Sequence, residues 1–403
     1  MRIYLRYFPI LFAIFAVASV SPFVLCLFYF FYFYKKYEVS EEGLIGVVML
    51  SAVVIGAINA VKVPDNDLEE YIYLYHLSKD MSLGQYIWVG STAGGLESVK
   101  EPFYPVIVWI LNKLCCDNEA LFKFLFTVIN YSLLNISVVI VGKKNNINHL
   151  YILFGLFLMT FIPYIFTLSL QILRQFMAGA IFMMILSLRC FSSVRIWKLG
   201  IVSFLMILVH SSSLFFVPFL FLKGFDKKWS DAKWLYIGIL LFFVLIQVVS
   251  LFLVGALGGL DNSLGYALER ASQDTQFESE GLGIVAVALL LIVICCSYHI
   301  SVVSEIKDNP GIRRFFNVPL FLCFFVLINL RQKELALRML FFSYPFVPII
   351  AMIYSNLKSV RSGIIMMVSI PVLLFFLVYM EFGVWTYEVP FSVFFTPLFC
   401  YFI

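Results

Sequence analysis

Long runs of Leu, Ile, Val and Phe recur along this chain of 403 residues, and they set both its solvent and its secondary structure. A helix needs about 20 apolar residues to cross roughly 30 Å of hydrocarbon, and about ten stretches here meet or approach that length. They are Tyr7–Tyr34, Gly43–Val61, Ala120–Val141, His149–Ser169, Arg174–Phe191, Lys233–Leu260, Gly281–His299, Arg314–Leu330, Met339–Leu357 and Gly363–Phe382. Backbone groups find no water in the bilayer core, so such spans must be helical. The runs lack the alternation of an outer-membrane barrel. The charged fraction is 13%, about half that of a soluble domain. The expected fold is an all-α, polytopic membrane helical bundle, one integral domain over residues 1–403.

Two apolar pieces do not fit as simple spans. Phe103–Leu114 falls short of the bilayer thickness. Trp197–Leu222 is long enough, but His210-Ser211-Ser212-Ser213 interrupts it. Positive charge decides how to place it. Lys143 and Lys144 form one basic cluster; Arg189, Arg195 and Lys198 a second; Lys223, Lys227, Lys228 and Lys233 a third. Lys307, Arg313 and Arg314 form a fourth, and Lys358 and Arg361 a fifth. All five share a side only if residues 197–222 enter and return as a re-entrant pair of half-helices with His210 at the tip. Irregular backbone at membrane depth is tolerated where it lines a wet cavity. The basic side is then cytoplasmic. Residues 62–101 (an acidic, aromatic loop), 261–280 and 331–338 face outward with Arg174. If Phe103–Leu114 crosses instead, the first two spans flip. Arg2, Arg6 and Ala16-Val17-Ala18 imitate a signal peptide, but the apolar run continues to Tyr34, so a retained first span is expected.

Several function classes are disfavoured. A net charge of +4 without a polybasic tail gives no reason to expect nucleic acid. Cys26, Cys190, Cys295, Cys296, Cys323 and Cys400 lie in apolar stretches and read as packing residues. Cys115 and Cys116 have no neighbours at zinc spacing, and no metal site or cofactor is expected.

The informative residues are the ionisable ones inside apolar surroundings, which are costly in hydrocarbon and survive mainly where they work. Arg174 opens an apolar helix from the outward side, where the helix dipole already favours anions. Gln171 and Gln175 are expected beside it on the same face. Arg338 also opens a span from outside, with Arg331 and Lys333 in the same short segment. Arginine is the preferred bidentate partner of phosphate, so these cations suit a pyrophosphate. A snorkelling interfacial arginine is the simpler alternative. His210 can take a proton from a hydroxyl, or else merely bond helix carbonyls. Asp65–Glu70 with Tyr71, Tyr73 and Tyr75 combines carboxylates and rings that could hold sugars, or forms a solvated interfacial belt. Glu101, before Pro102, is a site carboxylate or a turn residue. Residues 261–280 read as a short surface helix, a connecting loop or a lid.

Four pieces, in order, resemble the EpsG family of polysaccharide polymerases, relatives of the Wzy O-antigen polymerases. They are Asp67-x-x-x-Tyr71, Glu101-Pro102 before a short apolar helix, Arg174-Gln175-x-x-Ala178 followed by a run ending in His210-Ser211-Ser212, and Glu334-Leu335-Ala336-Leu337-Arg338 opening a late span. The resemblance covers roughly Gly43 to Leu357. Phe176 departs from it where the family often has a smaller aliphatic residue, and the long aromatic leader, Tyr4–Tyr34, is unusual. The resemblance implies a GT-C-like, metal-independent glycosyltransferase in the bacterial cytoplasmic (inner) membrane. Its substrate would be an undecaprenyl-pyrophosphate-linked oligosaccharide, transferred onto another lipid-linked repeat unit to make capsule, exopolysaccharide or O-antigen. Partners would be membrane lipids, a flippase and a chain-length regulator. On this reading Arg174 and Arg338 hold the pyrophosphate, His210 is the general base or positions the donor, and Asp67, Tyr71 and Glu101 contact glycan, with Asp67 the second choice for the base. A lipid-linked glycan transporter, a membrane O-acyltransferase and a ligase-like transferase remain rival readings.

Overall fold

The computed structural model describes residues 20–36, 39–65, 67–90, 101–227, 237–238, 241, 309–328, 336, 339–382 and 391–402. Among these residues every regular element is helical. Six helices are long and apolar enough to cross a membrane, and a bent pair makes a seventh span. The chain is a multi-pass, all-α membrane protein. Apart from residues 237–238 and 241, the expected span Lys233–Leu260 lies outside the described residues, as do Gly281–His299, the segment 261–280, and Arg331, Lys333 and Arg338.

Polar residues at the segment ends start the helices. Helix α1 spans Pro22–Lys36 and α2 spans Glu41–Ala60. Ser40 caps α2 by accepting from the Gly43 N–H, which satisfies one of the donors left over in a first helical turn. Two short helices follow, α3 over Asp67–Leu77 and α4 over Leu83–Gly90. The stretch expected as an acidic loop, 62–101, thus carries two helices in its described part. Helix α5 is Phe103–Cys115 and α6 is Glu119–Lys144, the latter capped by Asn118. Helix α7 runs His149–Phe161 and α8 Pro163–Gln171. The continuous span expected over His149–Ser169 is bent by 50° between them. Pro163 lacks an N–H and pushes Ile162 out of helical geometry, to φ −74°, ψ 115°.

Helices α2 and α6 approach closely because Gly56 faces α6. A Cβ there would stand 2.7 Å from Val128 Cγ2 and 3.1 Å from the Phe124 carbonyl oxygen. Small residues are what allow such contact where lipid removes the hydrophobic drive between helices. A buried polar knot secures the packing: Asn59 Nδ2 donates to Thr127 Oγ1 at 3.0 Å and to Ser169 Oγ at 2.7 Å, tying α2, α6 and α8 together.

These contacts divide the bundle into two ends. At one end Lys143 bonds Glu41, Asn145 accepts from Asn309, and the Asn148 N–H reaches Asn356. At the other, Lys123 Nζ bonds Glu119 and the Lys62 carbonyl. Helix α5 belongs to this second end throughout. Its Trp109 donates to Met81 O, Asn112 to Tyr75 O and Lys113 to Lys79 O, so it lies along α3 and α4 instead of crossing.

Helix α9, Leu173–Phe191, descends from the second end towards the first, and α10, Ile196–Val209, packs back along it. The chain breaks at His210, whose extended backbone (φ −151°, ψ 113°) ends α10. A 3-10 turn, Ser211–Phe216, leads into the short α11, Val217–Phe221. Phe216 lies against Phe182 in the middle of α9. Asp226 then meets Arg314 in helix α12, Pro310–Ile328, whose Gly311 is pressed on Phe191 at the far end of α9. Residues 196–226 therefore go up and return, with His210 at the turn. Two more helices complete the described bundle, α13 over Phe346–Leu357 and α14 over Ser362–Phe382.

Helix α12 clamps the return limb, with Asn317 Nδ2 donating to the Phe225 and Lys227 carbonyls. Arg314 is fully buried and pairs through Nε and Nη2 with both Asp226 oxygens, at 2.7 and 2.9 Å. Its remaining N–H groups go to the carbonyls of Phe219, Leu220 and Leu222, the C-terminal carbonyls where a cation is favoured. Asp226→Ala would leave a buried charge without its counter-ion, a loss of about 3–5 kcal/mol. The expected result is a clearly lowered unfolding midpoint in detergent, read by intrinsic fluorescence, with partial recovery in the double change Asp226→Leu with Arg314→Met.

Candidate functional site

The site is built where three irregular joints meet. The first is the residue before α5, Glu101, set by Pro102 at the helix start. The second is the α8–α9 joint, where Ile172 leaves helical geometry at φ −127°, ψ 67° and restarts the helix at Leu173, placing Arg174 in the new first turn. The third is the tip of the α10–α11 hairpin at His210. Helix α3 closes the group from the side with Tyr71.

Glu101 joins the three. Its Oε2 accepts from Arg174 Nη1 at 2.7 Å, and its Oε1 accepts from His210 Nδ1 at 2.9 Å. The Ser211 backbone N–H and hydroxyl also bond Oε1, at 2.8 and 3.0 Å. The carboxylate side chain is only 10% exposed. Arg174 donates its Nε to the Tyr71 hydroxyl at 3.2 Å, and its guanidinium lies 5.6 Å from the centre of the Tyr71 ring, a cation–π distance. Its Nη2 has no partner among the described residues, and the side chain keeps 32% of its exposure. Arg174 is therefore held on two edges and open on the third.

The electrostatics follow from that geometry. Burial works to raise the Glu101 carboxyl pKa, but the His210, Arg174 and Ser211 contacts outweigh it and bring it down to about 2. Charge-assisted donors on the ionised form have this effect. For Tyr71, burial dominates and pushes the phenol upward against the pull of Arg174, so the ring stays a neutral acceptor for the arginine.

The other expected residues fall as follows. Asp67 is exposed at the start of α3, one helical turn from Tyr71. Tyr75 is not at the site: it stacks on Phe122 at 4.3 Å and bonds the Asn118 carbonyl. Tyr73 points outward. Gln171 and Gln175 do not share a face with Arg174. Gln171 ends α8 on the other side of the Ile172 break, and Gln175 is buried along a small apolar cavity of about 20 Å³ with Leu134, Leu168, Ile172, Phe176 and Phe342. The helical spacing assumed for them requires one continuous helix, and Ile172 interrupts it. Tyr104 was not among the sequence candidates. Its ring meets Tyr71 edge-on at 5.6 Å and its buried hydroxyl lacks a partner among the described residues. Its place three residues after Glu101, one turn along the helix, was the available signal.

A carboxyl whose folded pKa lies below its ordinary value stabilises the fold above that ordinary value and loses the contribution as pH falls towards the lower one. For Glu101 the window runs from roughly 4.3 down to about 2. Wild-type protein should exceed Glu101→Gln in thermal stability by a constant margin of roughly 3 kcal/mol between pH 7 and 5, and the margin should shrink below. Melting both in detergent across pH 7 to 3 checks this; a margin that grows on acidification contradicts it.

Neither the curated proteins nor the solved structures include a chain that matches this one. The family model of the EpsG family, in contrast, matches residues 44–398, which takes in every joint of the site and most of the chain. This chain belongs to the EpsG family, a family of Wzy-like polymerases, and its function is of the polysaccharide-polymerase type.

Proposed function

We propose that the protein polymerises glycan repeat units on the outer face of the bacterial cytoplasmic membrane. It would transfer an oligosaccharide from undecaprenyl pyrophosphate to a hydroxyl of a second lipid-linked unit. The observation that carries the reading is the convergence of Arg174 and His210 on one carboxylate, at 2.7 and 2.9 Å, from two different helical joints. An anion-binding group and a proton acceptor held this close are what glycosyl transfer from a diphosphate requires.

On this proposal, the open edge of Arg174 grips the diphosphate, and its position in the first turn of α9 adds the helix dipole. Fixed cations act most strongly where negative charge develops, here on the leaving diphosphate. His210 accepts the proton of the attacking hydroxyl. The hydroxyl oxygen bonds the anomeric carbon as the anomeric C–O bond to diphosphate breaks, and that electron pair leaves with the diphosphate. Tyr71, on the Nε edge of Arg174, and Asp67, exposed one helical turn before it, are proposed to meet the sugar. Arg338, Arg331 and Lys333 are retained as further diphosphate ligands from the sequence reading. The clustering of Lys143, Arg189, Arg314 and Lys358 at the opposite end supports an outward-facing site through the positive-inside bias. The hairpin at 197–222 would then be re-entrant, with its tip in the wet vestibule. No step needs a metal ion.

The test is the glycan made by cells carrying single variants at normal protein level. Arg174→Lys keeps a charge but loses the fork geometry, and His210→Gln removes the base. Each should cut polymer formation about 10²-fold or more, leaving single capped repeat units on a gel; Arg338→Lys should act in the same direction. Full-length polymer from the Arg174 and His210 variants would overturn the reading. Lipid-linked units trapped on the inner leaflet would instead mark a transporter.

A further inference from the structure

We propose that Glu101 is a positioning residue: through Oε1 it fixes His210 in the tautomer whose Nε2 is the proton acceptor, and through Oε2 it sets the distance from that base to Arg174. This inference rests on the polymerase reading of the site and assigns a role within it.

A carboxylate has about four acceptor positions and, when ionised, no proton to donate. At Glu101, Oε1 accepts from three protein donors, His210 Nδ1, the Ser211 N–H and the Ser211 hydroxyl, and Oε2 accepts from Arg174 Nη1. Oε1, the oxygen that holds the imidazole, has no acceptor position left for a sugar hydroxyl. The same bonding fixes the imidazole. Because the carboxylate can only accept, the proton of the neutral ring lies on Nδ1, and the lone pair lies on Nε2. That atom is buried and has no hydrogen-bond partner among the described residues. A buried polar nitrogen left unpaired is costly, and an incoming acceptor hydroxyl is the group that would satisfy it.

Glu101 holds the hairpin tip by its backbone as well as its side chain, since the Ser211 N–H opens the 3-10 turn that follows His210. One side chain thereby sets the spacing between base and anion holder. In the transfer step the acceptor proton goes to Nε2, and Glu101 forms no covalent bond. It stabilises the imidazolium by charge, as an orienting carboxylate does for other catalytic histidines.

The chain has four histidines, so the full-length protein in lipid nanodiscs, labelled with nitrogen-15 histidine, can be read directly by NMR. His210→Gln identifies the signal. In the neutral ring of wild type, Nδ1 should be protonated and Nε2 not. Glu101→Gln keeps a carbonyl acceptor and should keep this pattern, with polymer formation lowered roughly 10-fold. Glu101→Ala removes the acceptor; the ring should move to the Nε2–H form preferred by free imidazole, with polymer formation lowered at least about 10²-fold. An Nε2–H ring in wild type overturns the proposal even if neither variant folds. So does an unchanged tautomer in a folded Glu101→Ala. The spectrum needs no substrate. Wild-type protein that shows the expected tautomer yet fails to polymerise lipid-linked units sinks the polymerase reading and leaves the tautomer assignment standing.

Discussion

One buried carboxylate organises the end of the bundle where chemistry is proposed. Glu101 is held low by its neighbours, and it in turn neutralises and orients them. Arg174 would be expensive at a helix start inside an apolar protein without a counter-ion. His210 would be free to rotate at an irregular chain turn. Paired through Glu101, the two become a fixed frame with one open guanidinium edge. The rest of the architecture serves to bring three joints to that point: the pre-proline start of α5, the Ile172 break and the hairpin turn.

Each of these joints is a place where the helix pattern fails for a local reason. Pro102 restricts the residue before it. Ile172 leaves helical geometry, so Arg174 sits in a first turn whose N–H groups are unsatisfied by the helix itself. His210 ends α10 because its backbone is extended, and the serine that follows satisfies itself on Glu101. Regular apolar helices such as α2 and α6 contribute the scaffold, with Gly56 and the Asn59 knot fixing their approach. The functional geometry lies in the breaks, where polar backbone is exposed inside a membrane protein and side chains can be aimed at it.

Much of this was legible in the sequence, and the part that was not has a physical explanation. The long spans follow from apolar run length, and the descriptions of α2, α6, α9 and α14 agree with them within a few residues. The interruption at His210 could be read because four polar residues stand in an apolar run. The bend at Pro163 has a local cause, but Pro in a membrane helix is often tolerated, so the residue alone does not mark a break. Glu101 as the hub could not be read. Its partners lie 73, 109 and 110 positions away in the chain, and only tertiary packing brings them together. The pairing of Gln171 with Arg174 failed because helical spacing holds only within one unbroken helix. Tyr75 shares its face with Tyr71, but its environment, a phenylalanine ring and a carbonyl, makes it a packing residue.

The clamp formed by Arg314 carries a consequence for biogenesis. It joins α12 to the return limb across 88 positions of chain. During synthesis the hairpin leaves the ribosome long before Pro310–Ile328 does, so the Asp226 carboxylate and the carbonyls of its return limb wait for their arginine until that later helix is inserted. The contacts of the tip with Glu101 and of Phe216 with Phe182 draw only on residues made earlier. Truncated chains ending before α12 would keep those contacts but lack the clamp on the limb behind them.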